Sequence, residues 1–419
     1  MAACILRDDL ETYCSQYGTH GAIQRLQFIA SETPKKNLKI DALKTCLELL
    51  KRTTNFKGYT TTHALLRELC EGNESAVPAF DQVWVDATQK QAGILKDLYE
   101  QDLNQAKASQ VKENIRACLS QLTSFCIEQG DYAAAEKYLT KSREHCTDQQ
   151  TVFTTCMTII KLRALQRQYQ DIQAFATKVQ HAPFMDDSKQ SKIWAAYGLH
   201  NMTSGNYKPA ATFFAQVKHQ DLGSAFSDIL APQDVALYGV LCALGSLDRG
   251  EVQSKLLDST TFCECLDMTP QIRDLAVDFC SCRYAACLAT LESMKEALSL
   301  DVHLHGQVAH LCEQIRSKGI TQYFAPFLSV SLLNMAEVFN TDVESMQREV
   351  AKLIGNRKLD AKIDSQRKIL IASHSDQKGT TYHNALRVSD DFLDSTQALI
   401  LRMNLLKHDF GVHVVRQKK

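Results

Sequence analysis

One pattern recurs four times along this chain of 419 residues, starting each time at a tyrosine: Tyr132, Tyr169, Tyr207 and Tyr284. Apolar or small residues follow three, six and seven positions later, a spacing that places them on one face of a helix. The tyrosines are 37, 38 and 77 residues apart, so a degenerate copy is expected between the last two. This period is close to that of tetratricopeptide helix pairs. Because one pair cannot bury its apolar stripe alone, the repeat predicts a stacked solenoid with a protein-binding concave surface.

The composition is that of a globular protein without a general affinity for polyanions. Hydrophobic residues make up 45% and charged residues 23% of the chain, both ordinary values. The formal net charge of -1 provides no overall attraction to nucleic acid or to a membrane. No apolar run approaches the roughly 18 residues of a spanning helix, and the segment after Met1 lacks the apolar core of a signal peptide. We expect a protein of the cytoplasm and nucleus, in which the 15 cysteines are reduced.

A cluster of cysteines between residues 263 and 287 does not have the spacing of a zinc site. Cys263 with Cys265, and Cys280 with Cys282, form C-x-C pairs. Zinc sites use pairs such as C-x2-C that a turn brings together. On the helix expected around Cys280, positions i and i+2 point to different faces. The sequence therefore predicts no metal at this cluster.

Three histidines, His303, His305 and His310, resemble part of a second kind of metal site. Metal-dependent isopeptidases use an H-x-H pair followed by an aspartate ligand, but no aspartate occurs between Asp301 and Asp342. We expect these histidines on the surface of a helix near a turn. Phosphate-loop, dinucleotide-binding, nucleophile-elbow and zincin motifs do not occur either. The sequence thus predicts no catalytic residue, no cofactor and no enzymatic activity.

Residues 329–373 predict a winged helix. A first helix is expected at residues 332–339, where apolar side chains recur with helical spacing. A second helix is expected to begin at a capping box formed by Thr341 and Glu344. The Gly-Asn pair at 355–356 would end it in the left-handed conformation.

After the second helix, apolar residues alternate with polar ones, which predicts a short hairpin over residues 359–372. Nucleic-acid binding by that helix is disfavoured, because Asp342, Glu344 and Glu349 outnumber its cations. The exposed edge of a hairpin can instead pair with a strand of another protein. The predicted contact residues are Leu359, Ala361, Ile363, Ile369, Leu370 and Ile371.

A final helix is expected to begin near Ser389, after a polar loop at residues 376–381. Six of its eight residues at 399–406 are Leu, Ile or Met, and a helix that is apolar on nearly all sides must be buried. Partner subunits are expected to bury it, with packing against its own chain as the alternative. The predicted contact residues are Leu399, Ile400, Leu401, Met403, Leu405 and Leu406.

Helical repeats, a winged helix and a terminal helix in this order resemble the PCI-domain family, whose members are subunits of the proteasome lid, the COP-nine signalosome and a translation initiation factor. The segments that carry the resemblance are residues 17–30 (YGTHGAIQRLQFIA), 112–116 (KENIR), 234–249 (DVALYGVLCALGSLDR), 270–273 (PQIR) and 322–340 (QYFAPFLSVSLLNMAEVFN). Residues 234–249 and 402–413 look more like a signalosome member than like the homologous proteasome lid subunit.

The resemblance implies a mainly α fold: a tetratricopeptide-like helical solenoid, then a winged helix (PCI domain) and a C-terminal helix. The expected segments are helical pairs at 1–78, the solenoid at 79–310, the winged helix at 311–375, and a loop with the bundle helix at 376–419. The later part of the solenoid would be the helical half of the PCI domain.

The resemblance also implies a non-catalytic scaffold. In the signalosome, PCI subunits join through their winged helices and their C-terminal helices enter a common bundle. A different subunit carries the isopeptidase that removes the modifier Nedd8 from cullins. The implied partners are other PCI and isopeptidase-bearing subunits and cullin-RING ligases, with no nucleic acid and no membrane. A proteasome lid scaffold and a nucleic-acid-binding PCI protein are the alternatives.

Overall fold

A computed structural model of the chain describes residues 10–70, 77–146, 148–180, 186–373 and 377–408. The chain divides into two compact units, Met1–Tyr323 and Phe324–Lys419. The predicted fold class is confirmed: helical pairs are followed by a winged helix and a terminal helix. The finer division into four segments stays a prediction. No helix within the described ranges is long and apolar enough to cross a membrane.

Helices, and no strands, occur in the described part of the chain up to the unit boundary. In chain order they are α1 (Leu10–Ser15), α2 (Thr19–Glu32), α3 (Lys36–Lys51), α4 (Phe56–Leu69), α5 (Gln82–Ser109), α6 (Lys112–Glu128), α7 (Tyr132–Glu144), α8 (Gln149–Leu165), α9 (Ile172–Gln180), α10 (Asp187–Thr203), α11 (Tyr207–Ala215), α12 (His219–Phe226), α13 (Pro232–Ser246), α14 (Arg249–Val252), α15 (Thr260–Asp267), α16 (Pro270–Cys280), α17 (Tyr284–Ser299) and α18 (Val308–Phe324). A 3₁₀ turn precedes α9 and a π-helical turn follows α14. Neighbours in sequence pack on one another, as in α2 on α3, α6 on α7 and α10 on α11.

The repeat predicted from the tyrosines marks where the helices begin. Tyr132, Tyr207 and Tyr284 are the first residues of α7, α11 and α17, and Tyr169 begins the 3₁₀ turn before α9. The helix α14 begins at Arg249, which lies 42 residues after Tyr207 and 35 before Tyr284. A helix thus begins between these two copies, and the degenerate copy itself stays a prediction.

The same turn precedes all four tyrosines. The residue two positions earlier has positive φ in each case: +75° at Gly130, +59° at Arg167, +80° at Gly205 and +60° at Cys282. The next N–H then donates to the carbonyl five residues back, as from Asp131 at 2.9 Å. This left-handed turn satisfies the last carbonyls of the preceding helix and sends the chain into the next one.

The first four helices share one core. Leu26, Ile29 and Leu50 have no exposed surface, and Leu43 has 3%. Ala231 and Leu300, which lie before α13 and after α17, belong to the same cluster of buried residues. Segments from distant parts of the sequence therefore complete the core of the N-terminal helices.

The second unit is a winged helix followed by a long helix. Its elements are β1 (Ser329–Ser331), α19 (Leu332–Val338), α20 (Val343–Gly355), β2 (Ala361–Asp364), β3 (Ile369–Ala372) and α21 (Gln377–Lys407). The sheet is antiparallel with the order β1-β3-β2. The predicted hairpin is thus β2–β3, and β1 is a third strand that was not predicted.

The predicted capping box of α20 is wrong. Asp342 is the N-cap residue, and the buried side-chain oxygen of Thr341 has no hydrogen-bond partner among the described residues. Asn340 has a φ of +48°, and the N–H of Thr341 donates to the carbonyl of Ala336 at 2.9 Å. Thr341 therefore still belongs to the turn that ends α19. The left-handed residue after α20 is Arg357, at +55°, and not the predicted Gly-Asn pair.

Candidate assembly surfaces

β2 is an edge strand of the sheet in the second unit. Within the described residues, no strand lies on the side of β2 away from β3. The N–H of Ser373 donates to the carbonyl of Asp360 at 3.0 Å. Because bonded pairs alternate along an antiparallel ladder, the N–H groups of Ala361 and Ile363 point away from β3. These two groups can receive a strand from another protein.

The prediction that Ile369, Leu370 and Ile371 lie at an exposed edge is wrong. β3 is the central strand, since the unpredicted β1 pairs with it on the other side. Its backbone groups are therefore used within the sheet. Leu370 is fully buried and Ile369 half-buried, whereas the Ile371 side chain is 45% exposed. Of these three residues, only Ile371 presents a largely exposed side chain.

The side chains of the predicted contact residues near β2 are buried or half-buried. Leu359 and Ala361 are each 6% exposed, so they belong to the core of the unit. Ile363 is half-buried. What this strand presents is its main chain, which is the part that strand addition uses.

The helix α21 is exposed at nearly every described position, and it includes the other six predicted residues. Leu399, Ile400, Leu401, Met403, Leu405 and Leu406 are between 38% and 68% exposed. The alternative prediction, that this helix packs against its own chain, is not seen in the part of the chain that the structure describes. A large apolar surface of this kind usually marks an interaction site.

The helix begins at Gln377, which is twelve residues before the predicted start at Ser389. No apolar period marks its first turns, so the sequence does not show them to be helical. The predicted start excludes the exposed apolar residues Tyr382, Leu386 and Val388, and the predicted contacts also omit Phe392 and Leu393, which lie within the predicted helix. The apolar residues repeat every seven positions in two adjacent rows: Phe392, Leu399 and Leu406, and Leu386, Leu393 and Ile400. A repeat of seven residues is typical of helices that pack side by side in bundles, and the two rows occupy neighbouring positions i and i+1, not the a and d positions of a single seam.

A buried ionic network in the first unit was also missed. Arg25 on α2 lies between Asp234 on α13 and Asp301, which follows α17. Its Nη2 is 3.0 Å from an oxygen of Asp234, and its Nη1 is 3.6 Å from an oxygen of Asp301. At Gly21, one turn earlier, an added Cβ would lie 2.2 Å from the backbone oxygen of Asp228. The glycine therefore permits the close approach of α2 that the network requires.

Tyrosines and backbone groups complete the network. Tyr17 donates to Asp234 at 2.8 Å, and its ring centroid lies 4.0 Å from the guanidinium carbon of Arg25. Tyr238 donates to Asp301 at 2.8 Å, as does the N–H of His303. Two segments that carried the family resemblance, 17–30 and 234–249, meet at this point. The network joins the N-terminal helices to the later repeats.

Burial sets the protonation behaviour of these groups. It raises the pKa of Asp234 to about 6, although the charge of Arg25 acts in the opposite direction. It lowers the pKa of His303 to about 4, and there the charge of Arg25 acts in the same direction. The pKa values of Tyr17 and Tyr238 are raised well above their usual range, again chiefly by burial. The tyrosines therefore remain hydrogen-bond donors at physiological pH.

The expectation that all three histidines lie on a helix surface is wrong for His303, which is 6% exposed and contacts the hydroxyl of Tyr169 through Nδ1 at 2.7 Å. Nδ1 of His310 lies 2.7 Å from the hydroxyl oxygen of Tyr207, whereas the His305 side chain is 46% exposed and its Nδ1 lies 2.7 Å from the carbonyl oxygen of Ser299. The three rings thus have separate surroundings. Within the described ranges, no three or more His, Cys, Asp or Glu side chains come close enough to hold a metal ion.

His303 and Asp234 should give opposite pH dependences of stability. The folded pKa of His303 is below its usual value, so its contribution is present at neutral pH and is lost as the pH falls from about 6.5 towards 4. The folded pKa of Asp234 is raised, so its contribution is present in acid and is lost as the pH rises from about 4 to 6. His303→Gln removes the first contribution only. The difference in Tm between the variant and the wild type should therefore become more positive from pH 7 to pH 5. Differential scanning fluorimetry at several pH values measures this difference. A difference in Tm that stays constant, or becomes more negative from pH 7 to pH 5, would refute the predicted contribution of His303.

Helical pairs, a winged helix with an open strand, and an exposed terminal helix define a PCI-domain protein. The family model for the PCI domain matches residues 290–374, and that for the 26S proteasome subunit RPN7 matches residues 81–255. COP9 signalosome complex subunit 1 of Arabidopsis thaliana is 34% identical over 98% of this chain and 92% of its own length. Subunit 1b of Drosophila melanogaster is 28% identical over 98% of this chain and 87% of its own length. The chain belongs to the COP9 signalosome subunit 1 family, which confirms the resemblance seen in the sequence.

A proteasome relative matches a smaller part of the chain. The 26S proteasome non-ATPase regulatory subunit 6 of Oryza sativa subsp. japonica is 25% identical over 51% of this chain and 54% of its own length. Similarity to these two signalosome relatives extends along nearly the whole chain, whereas similarity to the proteasome subunit covers about half of it.

Proposed function

We propose that this chain is a non-catalytic scaffold subunit of the COP9 signalosome, a complex that removes Nedd8 from cullin-RING ubiquitin ligases. The open edge of β2 would bind the winged helix of a neighbouring PCI subunit, and α21 would enter a helical bundle with other subunits. A different subunit would carry the isopeptidase. Family membership supports the choice of complex.

The observation that carries the proposal is the exposure of α21. This helix of 31 residues has two rows of apolar side chains, and residues at its C-terminal end are apolar on further sides. Exposed apolar surface of this extent requires a partner in a soluble assembly. A spacing of seven residues suits helices that cross at a small angle, as they do in bundles.

Affinity purification of the full chain from its own cells, followed by mass spectrometry, tests the choice of complex. The signalosome proposal expects the other PCI subunits and an isopeptidase-bearing subunit in similar amounts. The competing candidate is a proteasome lid subunit, which the match of residues 81–255 to the RPN7 model favours. Recovery of proteasome lid and base proteins without a signalosome isopeptidase would reject the proposal.

Ile363→Pro should weaken assembly through the β2 edge by roughly tenfold or more, because it deletes an N–H that points away from the sheet. The N–H groups that bond to β3 remain in place. Ile363→Ala is the matched control, since it removes the same side chain but keeps the N–H, and it should assemble much better. Binding to a purified neighbouring PCI subunit measures the effect, with circular dichroism to verify folding. Equal binding by the two folded variants would rule out the β2 edge as the contact.

A further inference from the structure

The first unit contains an open groove of about 680 Å³ that neither assembly surface uses. Its walls are α2, the first turn of α4, the turn between α6 and α7, and the end of α8. A volume of this size lies within the range of ligand sites in proteins, about 300–1,000 Å³. The floor is partly apolar, since Ile23, Phe28 and Leu165 are buried beneath it.

Side-chain amides line the groove. The amides of Gln27, Gln129 and Gln166 make no hydrogen bond to the described part of the chain. By contrast, Gln24 donates to the carbonyl of Leu165 at 2.6 Å and so belongs to the wall. A primary amide both donates and accepts, which matches the N–H and C=O groups of a peptide main chain.

The charges of the groove favour an acidic ligand. Lys57 and Arg167 are exposed and form no ion pair with the described residues. The only acid among the lining residues is Asp131, one of whose oxygens accepts the N–H of Ala134 at 3.1 Å. The guanidinium carbon of Arg167 lies 4.3 Å from the ring centroid of Phe28. This stacking orients the guanidinium and leaves its N–H edges available for a carboxylate.

We propose that this groove binds an extended, acidic segment of a partner protein. The glutamine amides bond to the main chain of the segment, and Lys57 and Arg167 bind its carboxylates. Nucleic acid is a poorer match, because two cations beside an acid neutralise few phosphates. This role goes beyond assembly, and it can be measured on the isolated full-length chain whether or not the proposed complex is the right one.

The repeat supplies variants that remove the site without straining the fold. Arg167 has a φ of +59°, and Gly130 and Gly205 occupy the corresponding turn position in other copies. Arg167→Gly therefore suits the backbone and should not lower stability. Lys57→Gln removes the second cation from an exposed position. Cys282→Gly is the matched control, since it makes the same kind of change in a turn outside the groove.

The probe is a random-peptide library displayed on phage and selected on the wild-type chain, followed by titration of the enriched peptides with fluorescence anisotropy. We expect enrichment of Asp and Glu, with a Kd that rises at least about tenfold in the Arg167→Gly/Lys57→Gln variant and stays within about twofold in Cys282→Gly. Added salt should also weaken binding. Enriched peptides without acidic residues would overturn the proposal, and so would acidic peptides that bind the folded double variant as tightly as the wild type. Tighter binding of single-stranded DNA than of any enriched peptide would overturn it as well.

Discussion

Arg25→Met should lower the free energy of unfolding by about 3–5 kcal/mol. The substitution keeps much of the side-chain volume but removes the cation between Asp234 and Asp301, both of which are almost fully buried. Two carboxylates would then lie close together without a counter-charge, which is far less favourable than the loss of a surface pair. This is a large part of the 5–15 kcal/mol that typically stabilises a folded protein. Urea denaturation followed by circular dichroism measures it.

Two further variants separate the role of the charge from that of packing. Lys35→Met removes a long-range ion pair with Glu296 that is exposed on both sides, and it should change stability by no more than about 1 kcal/mol. Arg25→Met combined with Asp234→Asn and Asp301→Asn removes the buried charges together, and it should recover part of the loss. If Arg25→Met were as mild as Lys35→Met, the network would not hold the N-terminal helices to the later repeats.

The double variant Leu399→Glu/Leu406→Glu should be lost from the complex. The two side chains are 59% and 68% exposed and lie seven residues apart in one apolar row of α21. Placing two carboxylates in an apolar interface costs several kcal/mol, so we expect binding to fall more than about a hundredfold. The isolated chain should keep its stability within about 0.5 kcal/mol, because neither side chain is buried there. Co-purification with the other subunits measures the effect.

The side of the same helix that faces away from both apolar rows provides the control. Arg387 is exposed and, at about 100° per residue, lies roughly 120° around the helix from either row. Arg387→Glu makes the net charge more negative by two units, as the double variant does, and it should assemble normally. Loss of assembly in both variants would point to a general effect of charge. Assembly by both would mean that α21 is not the contact.

The helical repeat could be predicted from the sequence because its signals are local. An apolar side chain at each third or fourth position reports a helix face, and Gly130 and Gly205 report the left-handed turns before two of the copies. At Arg167 and Cys282 the turn is the same without the glycine. At these two positions the spacing of the tyrosines, and not the identity of the turn residue, predicts the repeat.

Long-range pairing was the part that could not be predicted. Strand β1 has three residues, too few to show alternation, and it becomes a strand only because β3 lies beside it. Without β1, the sequence predicts a hairpin with two open edges and contact residues on β3, which is the central strand of the sheet. Arg25 likewise looks like an exposed residue among apolar ones, since its partner Asp234 is 209 residues away. The apolar surface of α21 could be predicted because its apolar residues lie close together in the sequence, with six of the eight residues at 399–406 being Leu, Ile or Met.

The separation of Arg25 from its partners has a consequence for synthesis on the ribosome. The helix α2 emerges early, whereas Asp234 and Asp301 follow much later. At roughly 5–20 residues per second, about a quarter of a minute to a minute passes before the second carboxylate is made. During that interval the cation and the apolar face of α2 lack the segments that cover them in the folded chain. We therefore expect the first helices to reach their final packing only after the last repeats have been synthesised.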